Sequence, residues 1–356
     1  MTVDLNETLT NHAMPLTIDD AEALARDVYG LRAKATALSG ERDQNFRLRL
    51  EDGRAYVLKA THPAEARGVT DFQTRAQLHV EQADPTLPIP RLIPTLNGDI
   101  VHWYVTAPAE RRAIRLVTLL PGTLMYKVPR TSSLRHAIGA ALARLDFALR
   151  DFTHPQAGHV LLWDLQYTQR LRGLLAYVTD KVKRELAARY MDRFETRVLP
   201  VLSSLRKQVI HNDFNAHNVM VDPLQHDRVV GIFDFGDMVK APLVQDLAVA
   251  CAYQLSDTGN PLETAAECVA AYHTGYPLTR QEIELLPELI AARLLVTVAI
   301  TGWRSIQHPE NSAYILRNNA LSWNGLRSLS TLDEALARDT LYRACQSRPV
   351  IQEKCT

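Results

Sequence analysis

Three polar residues stand at fixed spacing in the stretch "HNDFNAHNVMV", which covers residues 211 to 221. His211, Asp213 and Asn218 form the pattern H-x-D-x-x-x-x-N. Sixteen residues beyond Asn218, the apolar run "VVGIF" leads into Asp234, and far upstream "AYVLKA" places Lys59 on an alternating strand pattern. Phosphoryl transfer needs a lysine for the nucleotide phosphates, oxygen ligands for Mg²⁺ and a carboxylate that accepts the proton of the acceptor hydroxyl. Asn218 and Asp234 carry the oxygen ligands that Mg²⁺ prefers.

Each of these patterns also has a plain structural interpretation. The spacing around Asp213 is a loose pattern, and "DFGD" is compatible with a strand that ends in a turn, because Gly and Asp favour turns. A strand lysine such as Lys59 is commonly solvated. Their order along the chain and the elements that carry them together favour a kinase-type site.

The elements that must position these residues change character at Pro121. Before it, alternating apolar and polar residues predict an antiparallel sheet, with a hairpin turn at "DG" and one inserted helix at about 69 to 82. The predicted strands cover residues 34 to 39, 45 to 50 and 55 to 60, "DIVHWYVTA" and "RAIRLVTLL".

After Pro121, apolar residues recur at helical spacing. The predicted helices cover residues 165 to 190, 192 to 206 and 281 to 306, and short strands are predicted around 209 to 211, 218 to 221 and 229 to 234. The sequence therefore predicts an α+β protein with a small antiparallel-sheet lobe, residues 1 to 120, and a mainly helical lobe, residues 121 to 356.

The catalytic stretch, together with "IFDFGD" and "RLVTLLPG", resembles the aminoglycoside phosphotransferase and choline kinase superfamily. A wider set of segments is similar to the hydroxylysine kinases and related kinase-like domains: "LSGERDQNF", "YVLKATHP", "TDFQ", "LARLDFALRDFTHP" and "WDLQ". The resemblance covers roughly residues 17 to 330 and implies a two-lobed, protein-kinase-like fold.

The resemblance implies a role for each residue of the motif. Asp213 is expected to be the catalytic base, Asn218 and Asp234 the Mg²⁺ ligands, and Lys59 the partner of the nucleotide α- and β-phosphates. His211 is expected to shape the loop. An acid on the inserted helix should hold Lys59, and two positions remain open for it, Asp71 and Gln73.

Backbone groups are expected to complete the nucleotide site. The segment from Gly40 to Asn45 contains a single glycine, and its amides are expected to reach the phosphates. Thr118 to Leu120 should offer backbone groups to the purine. The donor is ATP or GTP, because the resemblance includes GTP-using kinases.

A small acceptor is favoured over a protein substrate. Only six residues separate "DFGDM" from "QDLAVACAY", too few for the activation segment of a protein kinase. Asn212 also stands where a protein kinase would carry arginine. The candidate acceptor-binding residues are Asp237, Trp163 and Arg304, and Arg304 suits a carboxylate. Asp246 is expected to anchor the catalytic loop and to cap the helix that it begins.

The expected function is transfer of the γ-phosphoryl group, with Mg²⁺, to an amino alcohol or hydroxy amino acid, with 5-hydroxylysine the best candidate. The alternatives are an antibiotic O-phosphotransferase and a non-catalytic nucleotide-binding pseudokinase. The formal net charge of zero argues against nucleic acid or an anionic membrane as a partner. The lack of a signal pattern and of metal-like cysteine spacing indicates the cytoplasm. The oligomeric state stays open.

Overall fold

The computed structural model describes residues 15–38, 40, 43–107 and 110–346. The chain divides into two compact units. The first runs to Pro121 and also contains His154–Ala157 and Gly231–Phe233. The second contains Gly122–Thr153, Gly158–Val230 and the chain from Asp234 onward. The last ten residues and the predicted positions Glu41 and Arg42 of the phosphate loop lie outside the described residues.

A six-stranded antiparallel sheet forms the first unit, in the order β1-β2-β3-β6-β4, with β5 paired to β6. Its strands are β1 (Ala33–Leu38), β2 (Gln44–Leu50), β3 (Ala55–Ala60), β4 (Leu92–Ile93), β5 (His102–Ala107) and β6 (Glu110–Thr118). Helix α1 (Ile18–Tyr29) precedes the sheet, and α2 (Arg67–Ala83) follows β3. A capping box at Thr17 starts α1, and Gly30 ends it in the left-handed conformation with φ 68°.

Residues alternate between the two faces of this sheet. Leu58 of β3 points into a core that it shares with α1, through Leu24 and Ala25. Lys59 points to the opposite face, and in the register of the sheet it lies beside Asn45 of β2 and Arg115 of β6. Strand alternation therefore separates the residue with predicted chemistry from the apolar core.

The second unit is mainly helical. Its α-helices are α3 (Ser132–Leu149), α4 (Lys181–Arg193), α5 (Leu243–Ala252), α6 (Leu262–Gly275), α7 (Arg280–Gln307), α8 (Ser312–Ile315), α9 (Asn319–Ser330) and α10 (Glu334–Gln346). The strands after Pro121 are β7 (Thr123–Leu124), β8 (Lys207–Ile210), β9 (Val219–Val221), β10 (Val229–Ile232) and β11 (Val239–Pro242), and the last two residues of β10 count with the first unit. These strands form one three-stranded sheet, β10-β9-β7, and an antiparallel pair, β8 with β11.

Helix α7 is the centre of the second unit. Most of its residues from Leu285 to Arg304 are buried, and it continues through Pro287. The long apolar run therefore forms a core helix, as its interrupting charges indicate. Within the described residues, no helix combines the length and apolar character needed to cross a membrane.

The predicted α+β fold, with an antiparallel-sheet part followed by a helical part, is confirmed. Two predicted helices differ in detail. The segment predicted at 192 to 206 is a π-helical turn, Phe194–Val198, followed by the 3₁₀ turns Leu199–Ser204, with Pro200 near the start of the latter. Pro200 lacks the N–H that a continuous α-helix would need there. Residues Leu165–Tyr177 are also 3₁₀ rather than α-helical.

Candidate functional site

The predicted catalytic loop, residues 211–218, connects β8 to β9 and is anchored by one buried carboxylate. Asp246 of α5 accepts hydrogen bonds from the backbone N–H groups of His211 and Asn212, both at 2.8 Å. The predicted anchor is confirmed. The predicted cap is wrong, because α5 begins after Pro242 and the Asp246 carboxylate is turned to the loop instead of the first turn of its own helix.

Two residues of the site adopt the left-handed backbone region that favours glycine. Asn212 has φ 65° and Asp234 has φ 66°. Asn212 is fully buried, and its side-chain oxygen accepts a hydrogen bond from Gln245 at 2.9 Å. Backbone strain of this kind persists only where surrounding contacts hold it, and it concentrates at functional sites.

His211 lies inside the loop and is fully buried. Its Nδ1 accepts the backbone N–H of Asp213 at 3.3 Å. Its ring packs edge-on against Phe235, with centroids 5.1 Å apart, and against Phe214 at 6.0 Å. These contacts connect the loop to the segment that follows Asp234.

Three side-chain donors hold the Asp213 carboxylate. Oδ1 accepts from Asn215 Nδ2 at 2.8 Å and from Arg293 Nη2 at 2.6 Å, and Oδ2 accepts from Asn218 Nδ2 at 2.7 Å. The side chain is still 20% exposed. Oδ2 therefore keeps acceptor capacity for a hydroxyl group that approaches from solvent.

Arg293 contacts the Asp213 carboxylate, and the sequence interpretation missed it. It lies in the middle of α7 and is only 3% exposed. Burial alone would lower the pKa of its guanidinium, but Tyr253, Asp213 and the nearby Asp237 outweigh burial and raise that pKa. The sequence does contain an indication of this contact, because Arg293 lies within the apolar run "LLPELIAARLLVTVAI". A charged side chain on a buried helix needs a partner.

Asn218 and Asp234 lie at one end of a hairpin. Asn218 directly precedes β9, and Asp234 follows β10 by two residues. The two strands are neighbours, and the connection between them closes with a hydrogen bond from Asp222 N–H to the Arg228 carbonyl at 2.9 Å. So short a connection implies antiparallel strands, and this brings the start of β9 to the end of β10.

The donor set at this end of the hairpin fits a hard divalent cation. The side-chain Nδ2 of Asn218 donates to two oxygens of Asp213, the backbone carbonyl oxygen at 3.0 Å and Oδ2 at 2.7 Å. These bonds leave the Oδ1 atom of Asn218 to serve as a metal ligand. Asp234 is exposed. Across the described residues, no three His, Cys, Asp or Glu side chains gather to hold a metal on their own. A cation here would therefore take its remaining ligands from phosphate and water, as Mg²⁺ does in kinases.

In the first unit, the Asp71 carboxylate, one of the two predicted partners of Lys59, contacts Arg75 and His154. Asp71 accepts from Arg75 Nε at 2.9 Å and lies 3.1 Å from His154 Nε2. Helical periodicity explains this arrangement, because Asp71 and Arg75 share the exposed face of α2. Gln73 lies on the buried face and accepts from Arg115 at 3.2 Å.

The other predicted nucleotide residues also have defined surroundings. A side chain at Gly40 would collide with the carbonyl oxygen of Asp43, so this position requires glycine. The side-chain oxygen of Asn45 is buried without a hydrogen-bond partner among the described residues. The Thr118 N–H already donates to the Arg91 carbonyl at 3.0 Å, which leaves Leu120 as the better donor for a purine.

The predicted acceptor-binding residues belong to the second unit. Trp163 lies against the Arg293 guanidinium, whose carbon is 5.2 Å from the ring centroid. Arg304 is 6% exposed, and both burial and the neighbouring Arg317 lower its pKa. Asp237 lies close enough to Arg293 to raise the pKa of that residue.

His217 connects this region to the catalytic loop. Its ring packs against Tyr126 with centroids 4.6 Å apart, and its Nε2 lies 3.3 Å from Asn318 Oδ1. Burial and the charge of Arg317 lower its pKa, and the nearby Asp213 partly offsets them. The neutral imidazole is therefore favoured near neutral pH.

The sequence profile of the phosphotransferase enzyme family matches residues 34–285, more than half of the chain. The chain belongs to this family. This phosphotransferase is 27% identical over 332 residues to the hydroxylysine kinase of Danio rerio. The match covers 90% of this chain and 92% of that relative. The superfamily resemblance and the enzyme class, a phosphotransferase with a hydroxyl acceptor, are confirmed.

Two solved structures show the same fold. A microcompartment-associated aminopropanol kinase is 18% identical, with a TM-score of 0.69 over 93% of this chain and 99% of that one. An amicoumacin kinase in complex with AMP-PNP and Ca²⁺ is 14% identical, with a TM-score of 0.66 over 90% of this chain and 97% of that one.

Proposed function

We propose that this phosphotransferase transfers the γ-phosphoryl group of ATP or GTP to the hydroxyl of a hydroxy amino acid, with 5-hydroxylysine the best candidate. The observation that carries the proposal is the Asp213 carboxylate. It is ordered by three donors, is one-fifth exposed, and is bonded through Oδ2 to the amide of Asn218. One loop thereby presents a proton acceptor next to a metal ligand.

In the proposed mechanism, Asp213 Oδ2 accepts a hydrogen bond from the acceptor hydroxyl, orients it and receives its proton as transfer proceeds. The hydrogen bond from Asn218 Nδ2 fixes that oxygen relative to the Asn218 Oδ1 ligand. Asn218 and Asp234 would hold Mg²⁺, which when bound neutralises charge on the phosphate oxygens.

We assign nucleotide binding to the first unit. Lys59 would contact the α- and β-phosphates, with Asn45 beside it on the same sheet face. Backbone amides of the segment from Gly40 to Asn45 would reach the phosphates. The Leu120 N–H is the proposed donor to the purine.

The proposed acceptor carries a carboxylate. Burial lowers the pKa of Arg304, and the positive charge of the neighbouring Arg317 lowers it further. A carboxylate placed between them would offset this repulsion, because carboxylate is the natural partner of guanidinium. Arg317 also acts on His217 of the catalytic loop, which connects this positive region to the loop that carries Asp213. An amino alcohol without a carboxylate would lack this stabilisation.

A panel assay tests the proposal. ATP and GTP are each combined with 5-hydroxylysine, homoserine, choline, ethanolamine and kanamycin, and both nucleoside diphosphate release and the phosphorylated acceptor are measured. We expect the highest kcat/KM with 5-hydroxylysine. Choline and ethanolamine are the matched controls, since they are cationic alcohols without a carboxylate. Turnover with kanamycin alone would support an antibiotic phosphotransferase, and no turnover with any acceptor would support a pseudokinase.

A further inference from the structure

A buried arginine lies directly behind the proposed catalytic base. Arg293 occupies the interior of α7, with Ala291, Ala292, Leu294 and Leu295 around it in sequence, all buried. Removing a guanidinium from water costs several kcal/mol unless close partners compensate. Its contacts should therefore explain its position.

The Arg293 guanidinium donates hydrogen bonds to two side chains and lies against one aromatic ring. Nη2 donates to Asp213 Oδ1 at 2.6 Å, and Nε donates to the Tyr253 hydroxyl at 3.2 Å. The Trp163 ring covers the guanidinium at 5.2 Å. Nη1 is buried and has no hydrogen-bond partner in the described part of the chain. The strongest of these contacts, by distance and by charge, is the one to Asp213.

Asn215 donates to the same oxygen of Asp213, but the two residues are only two positions apart in one loop. Asn215 therefore moves with Asp213 and cannot fix it relative to the rest of the unit. Arg293 lies 80 residues away in sequence on a long buried helix. Of the two donors to Oδ1, it is the one that connects the carboxylate to a rigid element.

We propose that Arg293 is a positioning residue: it occupies Oδ1 of Asp213 and holds the carboxylate so that Oδ2 faces the acceptor hydroxyl. This inference rests on the proposed function, in which Asp213 is the base. Arg293 acts through Asp213 and touches neither the nucleotide nor the reacting atoms. Its burial supports this role over direct acceptor binding, because Nη1, its one nitrogen without a partner, is closed off from solvent.

The test is a double-mutant cycle with steady-state kinetics. Arg293→Lys and Arg293→Met are each made in the native chain and in Asp213→Asn. In the native background we expect kcat to fall on the order of 10²-fold for Arg293→Met, as a misplacement of about 1 Å does. The kcat of Arg293→Lys should fall less, since lysine keeps the positive charge and an N–H donor. KM for the acceptor and the affinity for nucleotide should change little.

In the Asp213→Asn background, the same changes at Arg293 should have almost no further effect on kcat, because the group that they act through has lost its function. Equal losses in both backgrounds would overturn the proposal and indicate direct acceptor contact or a purely structural role. Unchanged kcat for Arg293→Met in the native background would also overturn it.

Arg206→Met is the matched control. Arg206 Nη2 makes an ion pair of the same length, 2.6 Å, with the fully buried Glu282, away from the catalytic loop. The Arg206→Met variant should be less stable than the native chain, and its kcat should be unchanged. If Arg293→Met does not fold by circular dichroism, the Arg293→Lys arm of the cycle decides the question alone. Near-native turnover of Asp213→Asn would overturn the proposed function itself, whereas a slow Asp213→Asn with unaffected Arg293 variants would overturn only this inference.

Discussion

At the scale of single residues, the Asp213 carboxylate is shared among three fixed donors and one proposed substrate. Arg293 and Asn215 occupy Oδ1, and Asn218 reaches Oδ2. With this division, a carboxylate beside an arginine would still have an oxygen for the acceptor hydroxyl. The division also makes Asp213→Asn a milder variant than Asp213→Ala, because the amide oxygen of asparagine can still accept from Arg293, whereas alanine removes the partner altogether, at a cost of about 3–5 kcal/mol.

Asp234 should control metal-dependent nucleotide binding. Asp234→Asn replaces an exposed carboxylate at the proposed metal end of the hairpin by a neutral amide, a weaker ligand for Mg²⁺. We expect the Kd of the Mg-nucleotide to rise by tenfold or more, about 1.4 kcal/mol, in isothermal titration calorimetry.

Asp222→Asn is the control for this change. Asp222 lies at the opposite end of the same hairpin, where its Oδ1 accepts the Leu224 N–H at 2.8 Å. Its substitution should leave the Kd unaltered. Equal affinities for the native chain and Asp234→Asn would remove Asp234 from the metal site.

The sequence predicts residues of this site when they lie within one motif and misses those that tertiary folding brings to it. The contacts of Asp213 with Asn218 span five positions and follow from the motif spacing. The contact with Arg293 spans 80 positions and depends on how α7 packs. The sequence left Asp71 and Gln73 open as partners of Lys59, because no motif fixes the rotation of α2, which places Asp71 on its exposed face.

At the scale of elements, α3 and α6 pack closely against each other. Gly139 of α3 permits this packing, since a side chain there would collide with the carbonyl oxygen of Cys268 and lie 3.0 Å from the Tyr272 amide. Tyr272 in turn donates from its hydroxyl to Asp146 of α3 at 2.6 Å. The short distance between α3 and α6 therefore also allows the hydrogen bond between Tyr272 and Asp146.

Two glycine substitutions should have opposite effects on stability. Gly139→Ala forces α3 and α6 apart, and we expect it to lower the free energy of unfolding by about 1–3 kcal/mol, as overpacking does. Gly302→Ala in α7 meets no atom within 4 Å and should raise that free energy by up to about 1 kcal/mol through helix propensity. Urea unfolding followed by circular dichroism measures both, and stabilisation by Gly139→Ala would contradict the close approach of the helices.

Elements with strong periodicity were predicted well, and those set by contacts were not. The amphipathic strands of the first unit and the long apolar α7 agree with expectation within a few residues. The short strands β4, β7 and β11 were missed, because two to four residues carry no period of their own and pair only where the fold supplies a neighbour.

At the scale of the whole molecule, a buried acid pair couples stability to pH. Asp146 and Asp246 are both fully buried. Burial first, and then the charge of Asp246, raise the pKa of Asp146 well above its ordinary value. Asp146 Oδ1 has no N–H or hydroxyl donor among the described residues, which fits a protonated acid that donates to Asp246. Asp246 remains the acceptor for the loop amides.

The contribution of this pair to stability should decrease as pH rises from acid toward neutral. The folded chain keeps the Asp146 proton to a higher pH than the unfolded chain does, since the folded pKa is raised. Its contribution is therefore complete in acid and is lost through the folded-state pKa, with a slope of at most about 1.4 kcal/mol per pH unit. Asp146→Asn keeps a permanent donor to Asp246 and should flatten this slope in urea unfolding at several pH values.

Asp151→Asn serves as the control, because it removes one carboxylate from a side chain that is 76% exposed. It should retain the pH slope of the native chain. If Asp146→Asn showed that same slope, the proton would have to reside elsewhere.

The central claim is that Asp213 is the base of a small-molecule phosphotransferase, and its most direct test is the turnover of Asp213→Asn. The variant and the native chain are compared with the best acceptor of the panel, together with nucleotide affinity by calorimetry and a thermal unfolding curve. We predict that kcat falls by about 10²–10⁴-fold while nucleotide affinity and melting temperature stay close to native. Turnover within a few-fold of the native chain would contradict the claim.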